Sequence, residues 1–334
     1  MTALLDIQDL TISFPGATPV RNLSFAVAPG ETLAVVGESG SGKSLTALAL
    51  MQLLPKTARI ASGRVRLGEE DLLALSDIEM RRRRGRDIAM IFQEPMTSLN
   101  PVLTIGRQIT EVLSLHRGLT RAQARREAAA LLDLVRIPNP ERCLDDYPHR
   151  LSGGMRQRVM IAIAVACQPK ILIADEPTTA LDVTIQAQVL ELLDRLRREL
   201  SLSLLLITHD LGLVGQWADR VVVMYAGRKV EEASPGELFA RPLHPYTRGL
   251  LAASPRLHDR LHYRNARLAE IPGSIASAAN QQGCPFSPRC SERLAPCRTQ
   301  FPSERQTGPA RRVACHADLV HDSHGTPHDA AVSL

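Results

Sequence analysis

The segment Gly37-Glu-Ser-Gly-Ser-Gly-Lys-Ser44 constrains the chain more than any other, because it fits G-x-x-x-x-G-K-[ST], a loop built to hold phosphate. Its flanks suit that role. The apolar run Leu33 to Val36 reads as a short buried strand, and residues 43–54 carry apolar side chains at helical spacing. Between such a strand and helix, Gly37, Gly40 and Gly42 let backbone N–H groups turn inward around phosphates, with Ser39 and Ser41 completing the cradle. The helix N-terminus adds partial positive charge, Lys43 places a full charge near the β and γ phosphates, and Ser44 is a ligand for Mg²⁺.

A phosphate loop does not choose among kinases, GTPases, helicases and transporters, so the rest of the chain must. A second apolar run, Lys170 to Ala174, leads into Asp175 and Glu176, an arrangement that puts one carboxylate near Mg²⁺ and leaves the next to polarise an attacking water. A helical pattern from Val183 to about Leu200 and a third strand, Leu202 to Thr208, follow. Strands alternating with helices imply a parallel sheet covered on both faces. Between the halves, roughly 94–149 reads as helical, with Arg121 to Val135 the clearest stretch.

Leu151-Ser-Gly-Gly-Met155, opening the helical run Arg156 to Ala166, resembles the signature motif of the ABC ATPases, with Met where Gln is more frequent. The resemblance implies an α/β P-loop NTPase cassette: a RecA-like core, an antiparallel β portion and an inserted helical subdomain at about 94–160. It also implies that two cassettes pack head to tail, so that Ser152, Gly153 and Gly154 bind the γ-phosphate held by the other subunit. A helix N-terminus with small residues is physically suited to an anion supplied in trans. Further positions carry over from the resemblance. Gln93 matches the loop that senses Mg²⁺ and water, Asp182 the loop facing the partner cassette, and His209 the switch histidine that orients Glu176. Phe14 resembles the aromatic residue stacked on adenine, although a strand Phe also suits a core. Catalysis is thereby assigned to Glu176, His209, Gln93 and Lys43, and Mg²⁺ to Ser44, Gln93 and Asp175.

Segments 37–51, 91–101, 151–166 and 174–188, with His244-Pro-Tyr-Thr-Arg248, are similar to the ATPase subunits of dipeptide and oligopeptide permeases, up to about residue 318. This implies an ATPase that energises uptake of di- and oligopeptides, a branch shared with nickel and glutathione importers. The implied partners are two transmembrane permease subunits, a second related ATPase (a homodimer being the alternative) and an extracytoplasmic peptide-binding protein. The implied place is peripheral, on the cytoplasmic face of the cell's inner membrane. Three divisions are expected: a nucleotide-binding domain over 1–242, a C-terminal extension over 243–318, and a disordered tail over 319–334.

Within the extension, Cys284, Cys290, Cys297 and Cys315 are separated by five, six and seventeen residues, unlike the closely paired ligands of zinc fingers. Pro285, Pro288, Pro296 and Pro302 favour an irregular loop able to wrap thiolates round a compact centre, and Arg289, Arg293 and Arg298 would offset its charge. Some members of the resembling branch carry a [4Fe-4S] cluster here, which implies these four thiols as its ligands; zinc and unligated structural thiols are the alternatives. Cys143 and Cys167 read as buried small hydrophobes.

Composition excludes other classes. No stretch approaches the roughly 18 uncharged apolar residues that span a bilayer, and the segment Met1 to Asp9 lacks the basic start of an export signal. The net charge of +5 is mild, and the run Arg81 to Arg84 with Arg86 reads as a solvated helix face or loop, so nucleic acid is not an expected partner. One copy of the motifs, without repeats, makes this a single cassette rather than the tandem usual in soluble ABC ATPases acting on nucleic acid.

Overall fold

The computed structural model describes residues 3–93, 98–179, 182–253, 270–278 and 281–317. Two sheets organise them. The first is antiparallel, with β1 (Leu5–Phe14) between β2 (Ala17–Val27) and β4 (Arg59–Leu67), and the short β5 (Glu70–Asp71) at its edge. The second contains β3 (Thr32–Val36), β6 (Ile88–Ile91), β7 (Ile171–Asp175), β8 (Ser203–Thr208), β9 (Arg220–Tyr225), β10 (Arg228–Ala233), β11 (Arg305–Gly308) and β12 (Arg311–Val313). Its order is β11-β12-β10-β9-β3-β8-β7-β6, parallel from β9 to β6 and antiparallel beyond.

The parallel strands read as unbroken apolar runs because both faces are covered. Alternate side chains go to opposite cores, as the pleat requires. Leu33, Val35, Ile171, Ile173, Leu205 and Ile207 pack with the antiparallel sheet and α1 (Lys43–Leu50). Ala89, Leu172, Ala174, Leu204 and Leu206 instead meet the helical region: α3 (Ile105–Arg117), α4 (Arg121–Leu134), the short α5 (Pro140–Cys143), α6 (Gly153–Val165) and α7 (Val183–Glu199). Helix ends follow local chemistry. Thr104 caps α3 by accepting from the Arg107 N–H, and Gly118, at φ 63°, ends it. A reciprocal Thr120–Gln123 capping box opens α4.

The basic run falls at the end of α2 (Asp77–Arg83), with Arg81, Arg82 and Arg86 exposed and Arg83 and Arg84 half-buried. Arg83 pairs with Glu70 at 2.6 Å and Asp87 at 3.3 Å, Arg86 pairs with Asp87 at 2.6 Å, and Arg84 donates to the Met51 and Gln52 carbonyls at 2.7 and 3.0 Å.

The extension joins the main sheet. β12 pairs with β10 through Glu231 with Val313 and Glu232 with Arg312. After α8 (Leu211–Trp217) and α9 (Pro235–Ala240) comes α10 (Pro245–Ala253), and Tyr225 of β9 meets Phe286 at 5.2 Å and Tyr246 of α10 at 4.6 Å between ring centroids. The backbone N–H groups of Leu243 and His244 donate to the buried Glu231 carboxylate at 2.8 and 2.9 Å. Hydrophobic periodicity does not register such an attachment, which uses single aromatic rings, charges and strands of three or four residues. The expected tail, 319–334, lies outside the described residues.

Candidate nucleotide site

The loop after β3 is shaped by close approaches. A Cβ on Gly37 would run into the Met224 carbonyl oxygen and sit 2.9 Å from the Ser41 Oγ. Gly42, the residue before α1, has φ 95° with the Pro19 carbonyl 2.8 Å from where a Cβ would be, so only glycine fits. Lys43 curls over the loop and donates to the Gly37 and Glu38 carbonyls at 2.7 and 2.9 Å. Burial holds its ammonium below its usual pKa, against the pull of Glu176, Asp175 and Glu38. A buried cation whose donors rest on loop carbonyls is ready to be handed to phosphate oxygens.

From the first residues of α1, Ser44 donates to the Asp175 carboxylate at 3.0 Å across the end of β7. Burial pushes Asp175 above the ordinary carboxylate range, and the Ser44 hydrogen bond and Lys43 oppose that rise. A hydroxyl and a desolvated carboxylate side by side are the donor set that a magnesium ion takes.

Glu176 follows Asp175 with φ 46°, an uncommon conformation for a residue with a side chain, and it lies at the site of chemistry. Three groups hold its carboxylate: Gln93 and Thr179 each donate to Oε2 at 2.9 Å, and His209 Nδ1 stands 3.4 Å from Oε1. The His209 side chain is 61% exposed and that of Glu176 only 13%, so the imidazole covers the carboxylate from the solvent side. Gln93 therefore rests on Glu176 rather than on the Ser44–Asp175 pair. Thr179 was not anticipated from sequence, and neither was Gln157, a buried residue of α6 whose amide donates to the Pro177 carbonyl at 2.7 Å. That bond ties the signature helix to the loop behind Glu176.

Ser152 caps α6, its hydroxyl accepting from the Met155 N–H at 3.3 Å. Gly153 faces open space, whereas a Cβ on Gly154 would stand 3.3 Å from the Ile185 Cγ2, a tight contact. Asp182 is exposed at the start of α7, where its carbonyl accepts from the Gln186 N–H at 2.9 Å. Phe14 is half-buried against the core and lines a cleft of about 580 Å³ together with Gly40, Arg21, Arg228, Ile275 and Gln281. Its packing agrees with the core reading of Phe14, and the cleft it borders is also lined by extension residues that no motif marks, Ile275 and Gln281 among them.

The family model described as ABC transporter matches residues 20–179, and that described as oligopeptide/dipeptide transporter, C-terminal region, matches residues 230–297. An oligopeptide transport ATP-binding protein of Bacillus subtilis (strain 168) is 50% identical over 321 residues, 94% of this chain and 97% of its own. The chain belongs to the ATP-binding subunits of ABC transporters. A putative peptide import ATP-binding protein of Brucella abortus (strain 2308) is 54% identical over 310 residues, 91% of this ABC ATPase and 92% of its own. Among solved structures, a dimeric ATP-binding cassette in a post-hydrolysis state with ADP and Pi matches with TM-score 0.62 at 27% identity, covering 69% of this ABC ATPase and 98% of that chain.

In the extension of this ABC ATPase, Cys284 and Cys297 are buried and Cys290 and Cys315 half-buried, all with free thiols. They lie within electrostatic range of one another: burial first, then the other three thiols, push Cys284 up to about 12, and Cys315 rises through burial and through Cys290 and Cys297. Cations near them include Arg248 beside Cys290, Arg305 beside Cys315 and Arg228 beside Cys284. Of the arginines expected to serve them, Arg289 is engaged elsewhere. Thiols that resist ionisation only because they are buried together suit a cation that would take their charge. Among the described residues, however, no three His, Cys, Asp or Glu side chains stand arranged round a metal position. No described helix is long and apolar enough to cross a membrane.

Proposed function

We propose that this ABC ATPase couples ATP hydrolysis to the import of di- or oligopeptides, working with membrane-embedded permease subunits and an external binding protein. The observation that carries the reading is the carboxylate of Glu176 held by Gln93, Thr179 and His209 beside the Lys43, Ser44 and Asp175 group. The peptide cargo rests on the relatives, whose names are those of peptide import and oligopeptide and dipeptide transport proteins.

Lys43 leaves the Gly37 and Glu38 carbonyls for the β and γ phosphates, and the N-terminus of α1 adds its partial positive charge beside them. Ser44 and Asp175, with Gln93, would hold the magnesium ion, whose charge neutralises the phosphates. Phe14 stacks on the base in the cleft it lines. Glu176 accepts the proton of the attacking water, His209 orients the carboxylate, and Gln93 reports its state. Ser152, Gly153 and Gly154 address nucleotide held by a second cassette, and Asp182 faces that partner. Each site is then complete only on dimer closure, with a sister ATPase or a second copy. The assembly sits on the inner face of the cell membrane.

Cys284, Cys290, Cys297 and Cys315 are the residues that would hold a [4Fe-4S] cluster, zinc being the alternative; such a centre would supply cross-linking and redox sensitivity. The support is their gathering in one region, where burial and neighbouring thiols raise the pKa values of Cys284, Cys290 and Cys315. Anaerobically purified protein should contain stoichiometric iron and acid-labile sulfide, and Cys297→Ser should lower both. Zinc in their place selects the alternative.

Affinity purification of the tagged chain from membranes tests the main reading. Recovery of two permease subunits and an ATPase whose turnover rises when peptide and binding protein are added supports it. Recovery of nucleic acid or ribosomes instead removes it.

A further inference from the structure

The phosphate loop carries a carboxylate, Glu38, in a segment built to attract phosphate. A negative charge there opposes binding, and it lies close enough to Lys43 to act on its ammonium. The extension answers it. Arg289 Nη1 donates to Glu38 Oε2 at 2.8 Å, with the arginine side chain only 5% exposed and the glutamate 25%. The guanidinium is pinned on its other edges: Nε donates to the Pro272 carbonyl at 2.8 Å, Nη2 to the Ile271 carbonyl at 3.1 Å, and Nη1 also to the Tyr225 hydroxyl at 3.3 Å. Arg289 ends the 3₁₀ turn Ser287–Arg289, closed by hydrogen bonds from Ser287 N–H to Cys284 and from Arg289 N–H to Phe286. Its position is therefore set from both ends.

A second contact reaches the same residue. The Glu38 N–H donates to the hydroxyl of Tyr246 at 2.8 Å, and Tyr246 is fully buried on α10. The carbonyl of that peptide unit belongs to Gly37 and accepts from Lys43 at 2.7 Å. In a planar trans peptide the N–H and C=O point in opposite directions. Tyr246, pulling the N–H outward, thus turns the Gly37 carbonyl inward to where Lys43 rests.

We propose that Arg289 and Tyr246, both in the C-terminal extension, are positioning residues of the nucleotide site that act through Glu38. Arg289 neutralises the loop's carboxylate, and Tyr246 fixes the peptide that locates Lys43. The idea rests on the ATP-binding reading of the Gly37–Ser44 loop and assigns to the extension a part in it.

The test measures Mg-ATP affinity by calorimetry on the full chain carrying Glu176→Gln, so that nucleotide is not consumed. Arg289→Ala in that background should raise Kd about tenfold, the scale of one unpaired charge brought near bound phosphate. Adding Glu38→Gln to Arg289→Ala should recover affinity to within about threefold of the parent, because the harmful charge is gone. Tyr246→Phe, which keeps the buried ring, should raise Kd about threefold, the scale of one lost hydrogen bond. The recovery is the decisive signature, since a merely structural arginine would leave the double variant as weak as Arg289→Ala or weaker. Kd unchanged in Arg289→Ala, or no recovery in the double variant, overturns the role of Arg289; Kd unchanged in the folded Tyr246→Phe protein overturns that of Tyr246. Should Arg289→Ala not fold, Arg289→Gln with and without Glu38→Gln carries the same comparison. A folded parent that binds no Mg-ATP is a different failure, that of the nucleotide-site reading itself.

Discussion

The nucleotide site and the cysteine-bearing extension are held by different kinds of interaction. At the nucleotide site, partners are close in sequence or sit at the same end of the parallel sheet: Lys43 on Gly37 and Glu38, Thr179 on Glu176, and Ser44 on Asp175. The extension has no long strand or helix over 281–317 and is anchored by separated contacts, such as Arg228 stacked 4.1 Å over Phe301 and Lys229 bridging Glu232 at 2.6 Å and Glu304 at 3.2 Å. A site that must handle charge is built on rigid elements. A region attached by single charges and rings can transmit a change without the core unfolding.

The sharpest separation of the two should come from Glu176→Gln. Phosphate release should fall by about a thousandfold while Mg-ATP still binds, because only the proton acceptor is lost. Near-normal turnover would remove Glu176 from that role and leave the nucleotide site without its base.

Next in size is Gly37→Ala, which forces a methyl group into the Met224 carbonyl. We expect about 2 to 4 kcal/mol of lost stability, read as a lower denaturant midpoint. A midpoint equal to that of the parent would mean the loop is as adaptable as the extension, and the contrast drawn above would fail.

Acid should act on the extension first. Burial drives the pKa of His244 from 6.5 to about 3, and its Nδ1 accepts from the Tyr246 N–H at 3.1 Å, so the folded protein keeps this ring neutral. The contribution is present in full above about 6.5 and is lost as pH falls toward about 3, since the unfolded chain binds the proton first. Stability should drop by up to about 1.4 kcal/mol per pH unit through that window from this group alone. Thermal melting across the range should show a shallower decline for His244→Asn; equal slopes would exclude His244 as the acid-sensitive group.

The smallest effect is expected at Ser152. Ser152→Ala removes the cap on α6 and should cost about 1 kcal/mol in chemical denaturation of the isolated chain. If the hydroxyl also addresses nucleotide across a dimer, hydrolysis should fall by more than that stability loss explains. A decline in stability alone would confine Ser152 to capping.

Much of the nucleotide site was legible because its chemistry is contiguous. Gly37 to Ser44 and Ile171 to Glu176 each place their functional groups within one strand and the turn after it, so spacing alone reports geometry. Helix boundaries were close as well: Val183–Glu199 against an expected end near Leu200, and Arg121–Leu134 against Val135. The helix expected over 43–54 stops at Leu50, where the Met51 and Gln52 N–H groups bond back to Ala47 and Ala49 and Gln52 takes φ 48°. Helical periodicity continues past that turn because Leu53 and Leu54 are apolar, yet Leu53 is 40% exposed.

What sequence determined by itself was the phosphate loop, the carboxylate pair, the alternation that makes a parallel sheet, and a resemblance that supplied roles for Gln93, Ser152 and His209. What only the tertiary structure decided was which distant residues complete those parts: Gln157 on the Pro177 carbonyl, Ile275 and Gln281 at the cleft of Phe14, and Arg289 and Tyr246 on Glu38. The physical reason is range. Backbone preference and periodicity act over a few residues, whereas an ion pair between positions 251 apart in sequence leaves no pattern in either segment and exists only once the sheet has brought the two together.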